Sequence, residues 1–113
     1  METFSIRDLR DRTGDLVRGA EAGKLALVVR HGRPVFLAVP FDELLVREGI
    51  MAALALKLFD MEVVSLGKAA RLAEMNREDF IELCATQDVP VVRYPPDELQ
   101  KELEDLDDEL PDR

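Results

Sequence analysis

The sequence has no tryptophan, one cysteine (Cys84), one histidine (His31) and one tyrosine (Tyr94). A lone cysteine cannot close an internal disulfide, which fits a reducing compartment. One histidine and one cysteine do not readily supply a Ser/His/Asp or Cys/His arrangement, and there is no Gly-rich phosphate loop and no zinc-ligand spacing. The expectation is a protein without catalysis, metal or cofactor. No apolar run approaches the roughly 20 residues of a membrane span. Met1-Glu2-Thr3-Phe4 lacks the basic start and apolar stretch of an export signal, so a cytoplasmic location is expected.

Acid is what the sequence has in excess, and it is unevenly placed. The net charge is -9. Residues 1–49 hold eight Lys/Arg and eight Asp/Glu, whereas residues 50–113 hold seven basic and sixteen acidic residues, nine of the acids within 95–113. Such asymmetry between halves implies different partners for each. A neutral front half with clustered arginines can bind nucleic acid if its acids face elsewhere.

The front half reads as α+β. Residues 2–6 form a short strand. Ser5 stands three residues before Asp8, a capping-box spacing that opens a helix, with Leu9, Leu16, Val17 and Ala20 as its apolar stripe and Gly23 at its end. Leu25–Val29 and Val35–Val39 are strand-forming runs joined by Arg30-His31-Gly32-Arg33-Pro34, which predicts a β-hairpin. Both runs are apolar on both faces, so the sheet needs cover on both sides. One short helix covers one side only, and a unit this small is near the lower limit for folding alone. A second copy of the chain is therefore expected to supply the missing cover.

A further helix begins at Phe41-Asp42-Glu43, and Gly49 marks the boundary of the front unit. Beyond it, Met51–Met61 is a strongly apolar helix. Ser65 caps Leu66–Ala73, and Asn76 caps a helix from Arg77 to about Gln87, with Asp79 at its third position. Val89–Tyr94 reads as a short strand. After Pro95-Pro96 comes a last helix, Asp97–Leu110, stopped by Pro111. The expected domains are thus 1–48, 51–94 and 95–113.

Residues 1 to about 48 resemble the Phd/YefM antitoxin fold in the order of "SIRDLRDRTGDLVRGAEAG", "KLALVVRHGRPVFLAVP" and "FDELL". Residues of about 51–110 resemble small helix-turn-helix antitoxins encoded beside PIN-like toxins, through "ALALKLF", "SLGKAARLAEMNREDFIELCATQDVPVVRY" and "PPDELQKELEDL". In the first family, arginines of the first helix and residues of the hairpin turn contact operator DNA. The matching positions here are Arg7, Arg10, Arg30, His31 and Arg33. Guanidinium groups suit both phosphates and guanine edges.

The helix-turn-helix spacing of residues 65–87 suggests a second DNA reader, but charge opposes it. Its second helix carries Glu78, Asp79 and Glu82 against Arg77, and DNA affinity depends on neutralising phosphates. Packing or protein contact is the expected role, with Phe80, Leu83 and Cys84 in the core and small Ala69, Ala70 and Ala73 at the helix crossing. In the last helix, Leu99, Leu103, Leu106 and Leu110 form a narrow seam on an acidic surface. Such a segment suits a partner's groove, leucines as anchors and acids against a basic surface. Arg93, Tyr94 and Lys101 join these leucines as candidate toxin contacts, since the PIN-toxin resemblance implies a cation reaching an acidic metal site.

The expectation that follows is an autoregulating antitoxin of a type II toxin–antitoxin system. It forms a homodimer or higher oligomer, binds operator DNA, and neutralises a PIN-like ribonuclease. The alternatives are a dimeric interaction adaptor and a plain repressor without a toxin.

Overall fold

The computed structural model describes residues 1–91. The chain divides into two compact units, Met1–Ile50 and Met51–Arg113. Among the described residues there are three strands and six helices, an α+β composition. No helix among them is long and apolar enough to cross a membrane.

The first unit is a three-stranded sheet in the order β1 (Glu2–Ser5), β2 (Ala26–Arg30), β3 (Arg33–Ala38). β1 runs parallel to β2 in the register Glu2↔Ala26 to Ser5↔Val29. The helices α1 (Ile6–Asp11) and α2 (Thr13–Glu21) form the crossover between them. β1 stops at Ser5, one residue short of the expected strand, because Ser5 is already a helix cap. Its hydroxyl accepts the Asp8 N–H at 3.0 Å and the Asp8 carboxylate accepts the Ser5 N–H at 2.9 Å. The expected single helix is two. The break falls at Arg12, whose backbone (φ -122°, ψ 30°) caps α1 at its end and α2 at its start. Gly23, at φ +80°, then closes α2: its N–H donates to the Ala20 carbonyl and that of Lys24 to Gly19, each at 2.9 Å. This is the Schellman pattern, which the left-handed residue makes reachable.

The expected hairpin is present, with a tighter connection than the sequence suggested. Arg30 and Arg33 are already a cross-strand pair, so His31 and Gly32 alone make the turn. Both have positive φ, +51° and +77°. A two-residue turn with both φ positive matches the right-handed twist of the strands, and histidine is among the few non-glycine residues that tolerate it. The ladder slips between Val28 and Val29, where Phe36 and Pro34 are the successive partners. Pro34 has no N–H to give to a ladder and is accommodated at this irregularity.

Phe4, Leu25, Ala26, Val28 and Leu44 form the core of this unit, with Pro40 also buried. β3 is an edge strand, and within one chain it stays uncovered: Val35 is 53% exposed and Phe36 47%. The last helix, α3 (Glu43–Glu48), is capped by Asp42, whose carboxylate accepts the Leu45 N–H at 3.0 Å. Phe41 therefore lies outside the helix, 87% exposed. Gly49 ends α3 at φ +91°, ψ 163°.

The second unit contains α4 from Met51 on (the helix spans Ile50–Asp60), α5 (Leu66–Leu72) and α6 (Arg77–Thr86). Both expected caps form. Ser65 accepts the Lys68 N–H at 3.2 Å, and Asn76 accepts that of Asp79 at 2.7 Å. Phe59 and Phe80 meet edge to face, centroids 5.8 Å apart, at the centre of a core that includes Leu56, Leu66, Ala69, Ala70, Leu83 and Cys84. Ala73 is only half-buried. Residues 89–91 belong to neither helix nor strand, so the described part of the expected strand at Val89–Tyr94 is not one.

Candidate nucleic-acid interface

The register of the parallel pair decides where the candidate contacts fall. Ser5 lies beside Val29, so α1 starts at the same end of the sheet where β2 runs into the turn. Arg7 stands in the first turn of α1, and Arg10 follows it by three residues on the same helix face. Arg30 and Arg33 face each other across the mouth of the hairpin. Four arginines thus gather at one end of the sheet, all of them exposed. His31 is also exposed at the tip of the turn, where its backbone conformation gives it a structural task of its own.

These arginines differ from their neighbours in how their charges are used. Arg12 is paired with Glu2, Asp8 and Asp15. Arg18 is paired with Asp15, and Arg47 with Glu43 and Glu48. Among the described residues no carboxylate lies within ion-pair distance of Arg7, Arg10, Arg30 or Arg33. Like charges directly opposite on neighbouring strands repel. The Arg30–Arg33 pair therefore carries an electrostatic cost that an anion between or above the two groups would remove.

Three acids of the same unit, Glu2, Asp8 and Asp15, are held in place. The Ser5 N–H holds the Asp8 carboxyl below its ordinary range, with the Ser5 hydroxyl and the charges of Arg12 and Arg7 acting in the same direction. Hydrogen bonds from Arg12 and then Arg18 do the same for Asp15. The Asp15 and Glu2 carboxylates in turn hold the Arg12 guanidinium above its ordinary range. Sequence inspection passed over Arg12. The available signal was its spacing, four residues after Asp8 and three before Asp15, which places both acids within reach on helical backbone.

In the second unit, Glu78 and Asp79 occupy the first turn of α6, and Arg77 lies 4.0 Å from Glu78. Phe80, Leu83 and Cys84 are buried. The candidate toxin contacts Arg93, Tyr94, Leu99, Lys101, Leu103, Leu106 and Leu110 lie outside the described residues.

Comparison with known proteins places much of the chain. Residues 35–108 match the family described as "Uncharacterised protein family (UPF0175)". A UPF0175 protein of Aeropyrum pernix is 38% identical over 71 residues, which cover 63% of this chain and 76% of the relative. No solved structure matches the chain significantly. The match takes in most of the sequence from β3 onward, and the chain belongs to the UPF0175 family.

Proposed function

We propose that the chain is the antitoxin of a type II toxin–antitoxin pair. In this reading two copies join through their first units and bind operator DNA with the arginine-bearing end of the sheet. The acidic C-terminal segment neutralises a toxin, a PIN-like ribonuclease being the partner that suits it. The protein binds and does not catalyse. One observation carries the DNA half: four exposed arginines with no acidic partner share one end of a sheet whose remaining arginines are ion-paired. Unpaired cations at one end are what phosphate binding requires. The Phd/YefM resemblance assigns contacts to the same positions. The exposed Val35 and Phe36 on an edge strand support a second copy, because a sheet edge with apolar side chains is ordinarily covered.

The experiment is a gel shift of the full chain with the DNA upstream of its own gene. Arg7→Ala and Arg30→Ala are each expected to weaken binding by about tenfold and to lower the salt slope by about 1. No retardation of that DNA by the parent protein sinks the DNA half and leaves an interaction adaptor. The toxin half is tested by co-expressing the neighbouring toxin with a chain ending at Tyr94. Growth unharmed by the toxin would show that residues 95–113 are not the neutralising segment.

A further inference from the structure

Arg12 stands where α1 gives way to α2, and its guanidinium is engaged on every side. Nε donates to Asp15 Oδ2 at 3.1 Å and Nη2 to Glu2 Oε2 at 2.5 Å, while Nη1 lies 3.9 Å from Asp8 Oδ2. The group sits over the ring of buried Phe4, 4.7 Å from its centroid. Stacking on a ring while donating in several directions in one plane is guanidinium chemistry that an ammonium does not match. Three carboxylates from β1, α1 and α2 therefore share one cation that is anchored on the core.

Two of those three acids belong to the helical segment that carries Arg7 and Arg10. Asp8 is the immediate neighbour of Arg7, and Asp15 follows Arg10 by five residues. Left uncompensated, they repel a polyanion approaching this face. They also offer Arg7 and Arg10 an internal partner, and an arginine that pairs within the protein is lost to a phosphate. Resting on the DNA reading above, we propose that Arg12 is a positioning residue for nucleic-acid binding: it gathers Glu2, Asp8 and Asp15 into one cluster over Phe4, so that these three carboxylates do not compete with the polyanion for Arg7, Arg10, Arg30 and Arg33, and exposed Asp11 is the acid of α1 left outside the cluster. Arg12 itself touches no phosphate.

The test is a cycle of variants in the full chain, read as affinity for the upstream DNA. Arg12→Gln is expected to weaken binding about tenfold, on the scale of a lost charge contact. Glu2→Gln/Asp15→Asn in the parent background is expected to change it by less than about threefold, because those charges are already compensated. The same pair of amides added to Arg12→Gln is expected to recover more than half of the lost binding free energy, the remainder reflecting Asp8, which stays charged but is still held by the Ser5 N–H. A purely structural role for Arg12 gives no such recovery, since the amides restore none of its contacts. If Arg12→Gln does not fold by circular dichroism, Arg12→Lys takes its place in the cycle and the same recovery is required. Equal gains from the amides in both backgrounds make Arg12 an ordinary phosphate contact and overturn the proposal. Undiminished binding by Arg12→Gln overturns it too. A parent protein that binds no DNA overturns both this proposal and the DNA reading, whereas a binding parent with an additive cycle overturns this one alone.

Discussion

Each described helix of the second unit ends on a carboxylate residue in left-handed backbone, and replacing one by glycine should stabilise the protein. Glu62 after α4, Glu74 after α5 and Asp88 after α6 have φ of +60°, +56° and +57°. Each occupies the position where a Schellman cap asks for glycine. At Glu74 the pattern is complete: its N–H donates to the Arg71 carbonyl at 3.0 Å, and the Met75 N–H donates to Ala70 at 2.9 Å. A side chain in this conformation costs roughly 1–2 kcal/mol through the clash of Cβ with the following carbonyl. A carboxylate there also faces the negative end of the helix, adding about 0.3 kcal/mol or more. Glycine removes both costs but gives the unfolded chain more freedom, which returns roughly 0.5–1 kcal/mol. The balance is a gain of about 1 kcal/mol for Glu74→Gly.

Urea denaturation measures this directly. At a slope of about 1.5 kcal/mol/M, the midpoint should rise by on the order of half a molar with the slope unchanged. A control fixes the cause. Glu82 lies inside α6, where Glu82→Gly should lower stability by about 1 kcal/mol because glycine there only adds freedom to the unfolded chain. If Glu74→Gly leaves the midpoint unchanged or lowers it, the assignment of strain to this cap is wrong.

Other expectations follow from the same structure. Gly49 ends α3 in a backbone region open to glycine alone, and an added Cβ meets nothing within 4 Å, so Gly49→Ala should cost about 1–3 kcal/mol through backbone strain without a steric clash, read from the urea midpoint. Phe59 and Phe80 form the aromatic centre of the second unit, and Phe59→Ala should cost about 3–5 kcal/mol in the same assay. Asp8 and Asp15 have carboxyls held below the ordinary range by Ser5 and Arg12. A depressed folded-state value means that their contribution is present above the unfolded value, near pH 3.9, and is lost as pH falls through the folded values. Thermal melts at descending pH should therefore show an acid limb below about pH 4, and Asp8→Asn should flatten it.

What could be read from the sequence was local. Ser5 with Asp8, Ser65, and Asn76 with Asp79 each lie within one helical turn of the N–H they cap, so spacing alone identifies them. The hairpin and the glycine that ends α2 are likewise signals of a few residues. What could not be read depends on pairing across distance. The parallel register of β1 and β2 spans 24 residues and has no turn to announce it. The break at Arg12 is anchored partly by Glu2, ten residues away. Spacing put Asp8 and Asp15 within reach of Arg12, but it put Asp11 within reach of Arg7 in the same way, and the contact with Glu2 that singles Arg12 out could not be read. The expected long connection between the hairpin strands failed for a different reason. Arg30 and Arg33 look like loop residues, yet they are the last paired residues of two strands, because histidine takes the left-handed place at which the sequence shows no second glycine.

The boundary of the family match separates the two halves of the proposed function. It begins at residue 35, inside β3, and ends at 108. Arg7, Arg10, Arg30, His31 and Arg33 all precede it, and the Arg12 cluster does as well. Arg93, Tyr94, Leu99, Lys101, Leu103 and Leu106 fall within it, leaving only Leu110 of the toxin-side candidates beyond. Membership of UPF0175 therefore bears on the rear of the chain and is silent about the arginine-bearing end. The DNA half rests on the charge distribution of the first unit and on its Phd/YefM resemblance, and it stands or falls without reference to the family. Variants at Arg7, Arg12 or Arg30 should accordingly leave toxin neutralisation intact while they weaken operator binding. A single substitution at the arginine end that abolished both, in a protein still folded, would mean that the two activities share one surface and that the division of labour is mistaken.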